Sequence, residues 1–330
     1  MKQHELAGRP VPRIFYFCPD DPSRSGGVKV IYRHVDILNE NGFSASVVHQ
    51  KKGFRCDWFE HNTEITWLSE ARIQKNDCMV FPEIFGPAAC ALGPGIRKII
   101  FNQGAYLTFQ NQPLNGDHRN IPYLHPDVAG AVVVSDDSRN YLRYTFPDLS
   151  IHRVYNAVRP DLFSFCREKK PQIAIMPKQN NHQIQDIAQV VNILRHRGAL
   201  KNFTLKVIQN KTEAEAARLL RESLFFLSFN YHEGFSLPPA EAMACGCMVI
   251  GYHGFGGAEY FHPEHCFPVP TGDIIAFARQ TEKAIDMLNT DPDRFHRMRS
   301  TAAKTIRSAY SPQRRSRSVC AAWKEILGSE

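Results

Sequence analysis

Long hydrophobic runs are missing from this 330-residue chain: nowhere do the roughly 18 to 20 consecutive apolar residues of a membrane span occur. Met1 to Pro12 lacks the apolar core of a secretory leader. The nine cysteines are scattered, and an odd count without regular spacing excludes a disulfide framework as the organising device. The cytosol is therefore the expected compartment. No repeat at solenoid periods and no low-complexity tract is present. Gly254-Phe255-Gly256-Gly257 lacks the Lys-Ser or Lys-Thr of a P-loop, and Ser25-Gly26-Gly27 does not complete a dinucleotide fingerprint. His262-Pro263-Glu264-His265-Cys266 holds metal-capable groups, but its proline breaks the helical spacing of zinc motifs, so no metal is expected. Single-sign charge is also scarce. The 40 Lys+Arg against 33 Asp+Glu give +7, and the densest run, Arg314-Arg315-Ser316-Arg317, reads as a solvated helix face. Nucleic acid is thereby disfavoured. The excess still suits an anionic partner such as a nucleotide diphosphate, a lipid phosphate or an acidic membrane surface, which leaves room for peripheral membrane contact.

What is present is ordinary globular composition, 43% hydrophobic and 22% charged, in a length that suits about two domains. Short apolar runs alternate with helical periodicity, the pattern of an α/β protein with parallel sheets. Strands are expected at Arg13 to Cys18, Ser44 to His49, Cys78 to Phe81, Lys98 to Phe101, Ala131 to Ser135 and Ile151 to Tyr155. A helix should run from Val28 to Glu40, stopped by Asn41-Gly42. Another should begin at the capping cluster Ser135-Asp136-Asp137. Polar, charged Asp161 to Pro171 reads as a linker. A second series follows: strands at Ile173 to Met176, Leu205 to Gln209, Leu224 to Phe229 and Met248 to Tyr252, with helices at Ile184 to Arg197, Glu213 to Glu222, Asp273 to Leu288 and Arg294 to Ser308. Ser311-Pro312 is an N-cap and a helix-starting proline, so a last helix should reach Leu327. The architecture expected is two Rossmann-like halves, residues 1–160 and 161–310, with the helix of 311–330 packing back on the first.

The segment richest in chemistry runs from Tyr231 to Cys247, between two strands of the second series. Loops at the carboxyl ends of parallel strands are where open α/β sheets bind ligands. Gly234 permits close backbone approach, Pro238-Pro239 suits a helix start whose free amides form an anion site, and Cys245-Gly246 ends that helix. Glu233 and Glu241 could bracket a hydroxyl-rich ligand, since carboxylates accept hydrogen bonds from sugar hydroxyls without being protonated. By spacing alone the pair equally suits a solvated loop acid and a complement to the helix dipole.

The surrounding order, Glu233-Gly-Phe-Ser-Leu-Pro-Pro-Ala-Glu241-Ala-Met-Ala-Cys-Gly-Cys, resembles the EX7E signature of retaining GT-B glycosyltransferases of the family 4 type. The resemblance covers most of the chain. Gly26-Gly27 before an amphipathic helix resembles the family's N-terminal glycine loop. Tyr155-Asn156-Ala157-Val158 resembles its domain junction, and Gly256-Gly257-Ala258-Glu259 the glycine turn after the signature. This implies a GT-B fold with the active site between the halves, the second half binding a nucleotide-diphosphate sugar as co-substrate and the first the acceptor. It implies sugar contact by Glu233, ribose contact by Glu241, and a sugar and phosphate lining from Gly234, Phe235, Ser236 and Leu237, with Gly26 and Gly27 opposite. The family supplies an Arg and a Lys about five residues apart to the diphosphate. Met176-Pro177-Lys178-Gln179-Asn180-Asn181-His182 offers Lys178 alone, leaving His182, an arginine of the first half or the Gly26-Gly27 amides to compensate. Gln103, in Asn102-Gln103-Gly104, falls where family members carry a histidine near the donor sugar. It offers hydrogen bonds but no base.

The expected activity is retaining transfer to a glycan, lipid-linked or other hydroxyl acceptor by a same-face mechanism, with the departing diphosphate helping to deprotonate the acceptor. Acceptor-facing loops are expected at Phe54 to His61 and Tyr106 to His125. The rival readings are another GT-B activity, such as an epimerase or phosphorylase, and a degenerate module that binds nucleotide sugars without turnover.

Overall fold

The computed structural model describes residues 12–23, 25–110, 112, 114–115, 121–178 and 181–328. Gln179 and Asn180 of the loop around Lys178, and part of the Tyr106 to His125 loop, lie outside the described residues.

The first half is built from β1 (Arg13–Phe17), α1 (Gly26–Glu40), β2 (Ser44–His49), β3 (Ile65–Trp67), β4 (Cys78–Pro82), α2 (Ala88–Ala91), β5 (Arg97–Asn102), β6 (Val128–Val133), α3 (Asp136–Thr145) and β7 (Ile151–Arg153). Its seven strands lie in the order β3-β2-β1-β4-β5-β6-β7, every pairing parallel. The strands at the centre are apolar on both faces because helices cover both. On α1, Val28, Ile31, Val35 and Leu38 recur at helical spacing and are buried, while Lys29 and Arg33 are left facing the second half.

The second half contains β8 (Lys170–Ile175), α4 (Asn181–His196), β9 (Thr204–Val207), α5 (Glu213–Glu222), β10 (Ser223–Glu233), α6 (Leu237–Ala244), β11 (Met248–Phe255), β12 (Phe267–Pro268), α7 (Ile274–Thr290), α8 (Pro292–Ala309) and α9 (Pro312–Gly328). Its sheet is ordered β12-β11-β10-β8-β9 and is also parallel. Lys170 and Pro171 belong to β8 and not to the connecting segment. Pro171 falls between the paired residues Lys170 and Ile173, where a register shift against β10 removes the need for its amide. β10 continues to Glu233, four residues past the expected end.

One core cluster runs through both halves, from Tyr16, Val35 and Phe101 through Val158 and Phe163 to Phe235, Met243 and Ile306. α9 joins it from the first-half side. Val319, Ala322, Trp323 and Ile326 are buried along one stripe, Trp323 donates its indole N–H to the Tyr16 hydroxyl at 2.9 Å, and Arg97 donates to the Ile326 carbonyl at 3.0 Å. The last helix therefore lies against the first sheet.

Candidate active site

The corner between β10 and α6 is tightly constrained. Ser236 takes a left-handed conformation (φ 67°), uncommon for a residue with a Cβ. Three hydrogen bonds hold it. Tyr260 donates its hydroxyl to the Phe235 carbonyl at 3.2 Å and to the Ser236 carbonyl, and the Asn230 amide donates to the Ser236 hydroxyl. The Phe235 ring turns away from the cleft and packs between Tyr260 and Tyr310, with centroid distances of 5.3 and 4.8 Å. Of Phe235 and Ser236, the side chains and carbonyls are therefore committed inward, and only amides remain for a ligand.

Gly234 is one of the points where the two halves touch. A Cβ there would lie 1.7 Å from the Gln103 carbonyl oxygen and 2.5 Å from its carbon. On the other flank, a Cβ on Gly256 would lie 2.0 Å from the Gly234 carbonyl oxygen. Gln103 meets the opposite loop as well, donating its side-chain amide to the Gly27 carbonyl at 3.1 Å. The Glu83 carboxyl sits beneath Gln103 and Gly104 and takes hydrogen bonds from their amides, while burial pushes it up to about 7.

Around this contact two helices begin. The position a Cβ on Gly26 would take is 3.9 Å from a Leu237 methyl, so the N-termini of α1 and α6 are neighbours. Neither is capped by a side chain, although Ser25 and Ser236 occupy the N-cap positions. Elsewhere Ser135, Thr212, Asp273 and Asp291 cap α3, α5, α7 and α8, and Thr212 forms a full capping box with Glu215. Free amides and two helix dipoles thus face one opening, the electrostatic setting for an anion.

One turn into α6 lies Glu241, in a cavity of ≈ 560 Å³ walled by Lys29, Arg33 and Trp58 of the first half and Glu213 and Leu237 of the second. Its carboxylate accepts no hydrogen bond from any described residue. Burial and then the neighbouring Glu213 charge push it up to about 7, against a smaller downward pull from Lys29. Glu213 starts α5 and is ion-paired with Lys29 across the cleft and with Arg159 at 3.3 Å. Lys178 pairs with Glu233, and its amide donates to the Gln183 side chain at 2.6 Å. His182 is exposed and stands 6.4 Å, centroid to centroid, from the Tyr231 ring.

Two further cross-cleft contacts went unread in the sequence. Tyr106 stacks on His232 at 4.5 Å and lies 5.2 Å from Phe255, a small aromatic cluster shared by both halves. Glu259, read only as part of a glycine turn, accepts from the Asp136 amide at 3.0 Å, Arg153 at 2.9 Å and the Tyr310 hydroxyl at 2.9 Å. Arg153 and Glu259 are both largely buried there.

Another cavity of ≈ 410 Å³ lies between Val158, Phe163 and Phe165 and the α8 residues Ala303 and Ile306, and its lining includes neither Gly26 nor Leu237. No cluster of three metal-ligating side chains occurs among the described residues, and no described helix is long and apolar enough to cross a membrane.

Residues 190–305 match the family described as glycosyl transferases group 1. An alpha-1,6-glucosyltransferase of Actinobacillus pleuropneumoniae serotype 7 (strain AP76) is 25% identical over 288 residues, 82% of this chain and 83% of that protein. Among solved structures, sucrose-phosphate synthase from Thermosynechococcus elongatus superposes with a TM-score of 0.70 at 12% identity, covering 97% of this chain and 100% of that one. Anabaena HepE, solved in complex with UDP and glucose, superposes with a TM-score of 0.63 at 12% identity and the same coverage. The two parallel-sheet halves are a GT-B fold. The matched group 1 domain, the glucosyltransferase relative and that fold together indicate that this chain is a glycosyltransferase.

Proposed function

We propose that the chain moves a glycosyl unit from a nucleotide-diphosphate sugar to a hydroxyl acceptor with retention at the anomeric carbon, as the EX7E resemblance of Glu233 and Glu241 to family 4 implies. The observation that carries this reading is the meeting of two uncapped helix N-termini, at Gly26 and Leu237, one turn from an unpaired Glu241 carboxylate. A diphosphate fits the first and the ribose hydroxyls the second. The leaving diphosphate gains negative charge as the glycosidic bond breaks, so donors fixed in advance at that point favour the transition state over the ground state. Lys178 adds a full charge beside them. Glu233, held by Lys178, serves the sugar hydroxyls and not as a nucleophile. The diphosphate takes the acceptor proton on the same face, and no step calls for a metal.

The acceptor, a glycan or lipid-linked hydroxyl, approaches from the first-half side near Gln103 and Tyr106. The alpha-1,6-glucosyltransferase relative, with the UDP and glucose of the HepE structure, makes UDP-glucose the first donor to test. The work is expected in the cytosol, with the basic excess available for an acidic membrane surface.

A thermal-shift screen against UDP-, GDP- and ADP-sugars tests the reading. A ligand at about 100 times its Kd stabilises the fold by roughly 2.7 kcal/mol, and the absence of any shift with all three would count against it. A second reading, a module that binds without turnover, draws on the solitary Lys178. It gains if the protein binds UDP-glucose but never releases UDP. Turnover unchanged in Glu233→Ala and Lys178→Ala would remove both residues from the catalytic assignment.

A further inference from the structure

The stretch Met176 to His182 provides one cation, Lys178, for a leaving group that carries more than one negative charge. We infer that Lys29, on α1 in the opposite half, is the second phosphate-binding cation. The inference rests on the nucleotide-sugar reading and deepens it.

Lys29 lies three residues beyond Gly26, about 4.5 Å along the helix axis. Helical side chains lean toward the N-terminus, so this ammonium can reach back to the uncapped amides at Gly26 and Leu237. It lines the same cavity as Glu241, and its side chain is only 18% exposed. At present the ammonium rests on Glu213 of the second half.

That pairing is easily exchanged. Glu213 keeps Arg159 at 3.3 Å and the N-terminal dipole of α5, so its carboxylate stays compensated when Lys29 leaves. Of the other cations lining the cavity, Arg33 and Arg159 are less available. Arg33 is held by Asp36 at 3.4 Å and the Glu60 carbonyl at 3.0 Å and stands a further turn along α1, while Arg159 is also paired with Asp161. Lysine suits the role as a compact point charge on a flexible stem. Glu213 thus holds Lys29 until a diphosphate draws it away. Because Lys29 and Glu213 sit on opposite halves, this exchange couples donor binding to the contact between them.

The test compares UDP with UMP by isothermal titration in wild type, Lys29→Met, Lys29→Arg and Glu213→Gln. Loss of one charge-assisted phosphate contact weakens binding about 10- to 100-fold. Lys29→Met should therefore weaken UDP by that factor and UMP by less than about 3-fold, since the terminal phosphate is the part UMP lacks. Lys29→Arg should recover most of the loss, and Glu213→Gln should bind UDP as tightly as wild type or tighter. Equal weakening of UDP and UMP in Lys29→Met, or none, would overturn the assignment while leaving the nucleotide site intact. Wild-type protein that binds none of UDP, GDP and ADP would overturn the nucleotide-sugar reading itself.

Discussion

Gly234→Ala is the sharpest perturbation the geometry offers. The new methyl would be placed 1.7 Å from the Gln103 carbonyl oxygen, and the two must separate by about 2 Å to reach the ~3.5 Å of an ordinary contact. The second-half loop cannot supply that movement. Gly256 already abuts the Gly234 carbonyl, and Tyr260 ties down the next two carbonyls. The strain must therefore be relieved by parting the halves at Gln103, which carries Gly27 with it through the side-chain hydrogen bond. Overpacking of this kind costs about 1 to 3 kcal/mol where the structure cannot yield, and less where a cleft can open. Rate is affected more, because displacement of about 1 Å between reacting groups can cost on the order of 100-fold. UDP release from UDP-glucose, or from whichever donor the screen identifies, should fall by about that factor in kcat. The melting temperature should move by only a few degrees, and UDP affinity by less than about tenfold. A Gly234→Ala enzyme with wild-type kcat would refute the claim that catalysis requires the halves to touch at this point.

Glu241→Gln carries a pH signature. A carboxyl raised toward 7 by burial binds a proton more tightly folded than unfolded, so wild-type stability falls as pH rises from about 4.5 through about 7. Glu83 titrates in the same window and shares the trend, so the comparison must be variant against wild type. Glu241→Gln should gain melting temperature relative to wild type at pH 8 and show no such gain at pH 4.5; an equal difference at both values would contradict the burial argument. Nucleotide binding should nevertheless weaken in that variant, because the ribose loses a charged acceptor. Glu259→Ala takes from buried Arg153 its carboxylate at 2.9 Å, leaving only Asp136 at 3.6 Å, and should destabilise the protein by about 3 kcal/mol in denaturant melts. A change below about 0.5 kcal/mol would show that the cluster contributes nothing to holding the halves together.

Much of the fold is legible in sequence because buried parallel strands and amphipathic helices announce themselves by period. Ser135 caps α3 as its residue type suggests, and α5 occupies its expected span. The misses have physical causes. β3 and β12 are three and two residues long and pair only at sheet edges, too short to carry a pattern. α1 starts at Gly26 and not Val28, because tertiary placement overrides the poor helix propensity of glycine. The site is less legible than the fold. Ser25 and Ser236 are capping residues by type, yet neither side chain closes its helix end. Gly234 reads as a residue sparing room for a ligand, whereas its nearest neighbour is the Gln103 backbone of the other half. Lys29 carries no signal of its own and Glu259 reads only as part of a glycine turn, because their partners lie in the opposite half, which no local pattern encodes.

The central claim is that a nucleotide diphosphate binds between the open ends of α1 and α6 with its ribose on Glu241. A crystal structure of the protein soaked with whichever of UDP, GDP and ADP gives the largest thermal shift tests it most directly. The account predicts ribose hydroxyls within hydrogen-bond distance of the Glu241 carboxylate and phosphates against the amides that begin the two helices. A nucleotide seated elsewhere, or with its ribose away from Glu241, would contradict it.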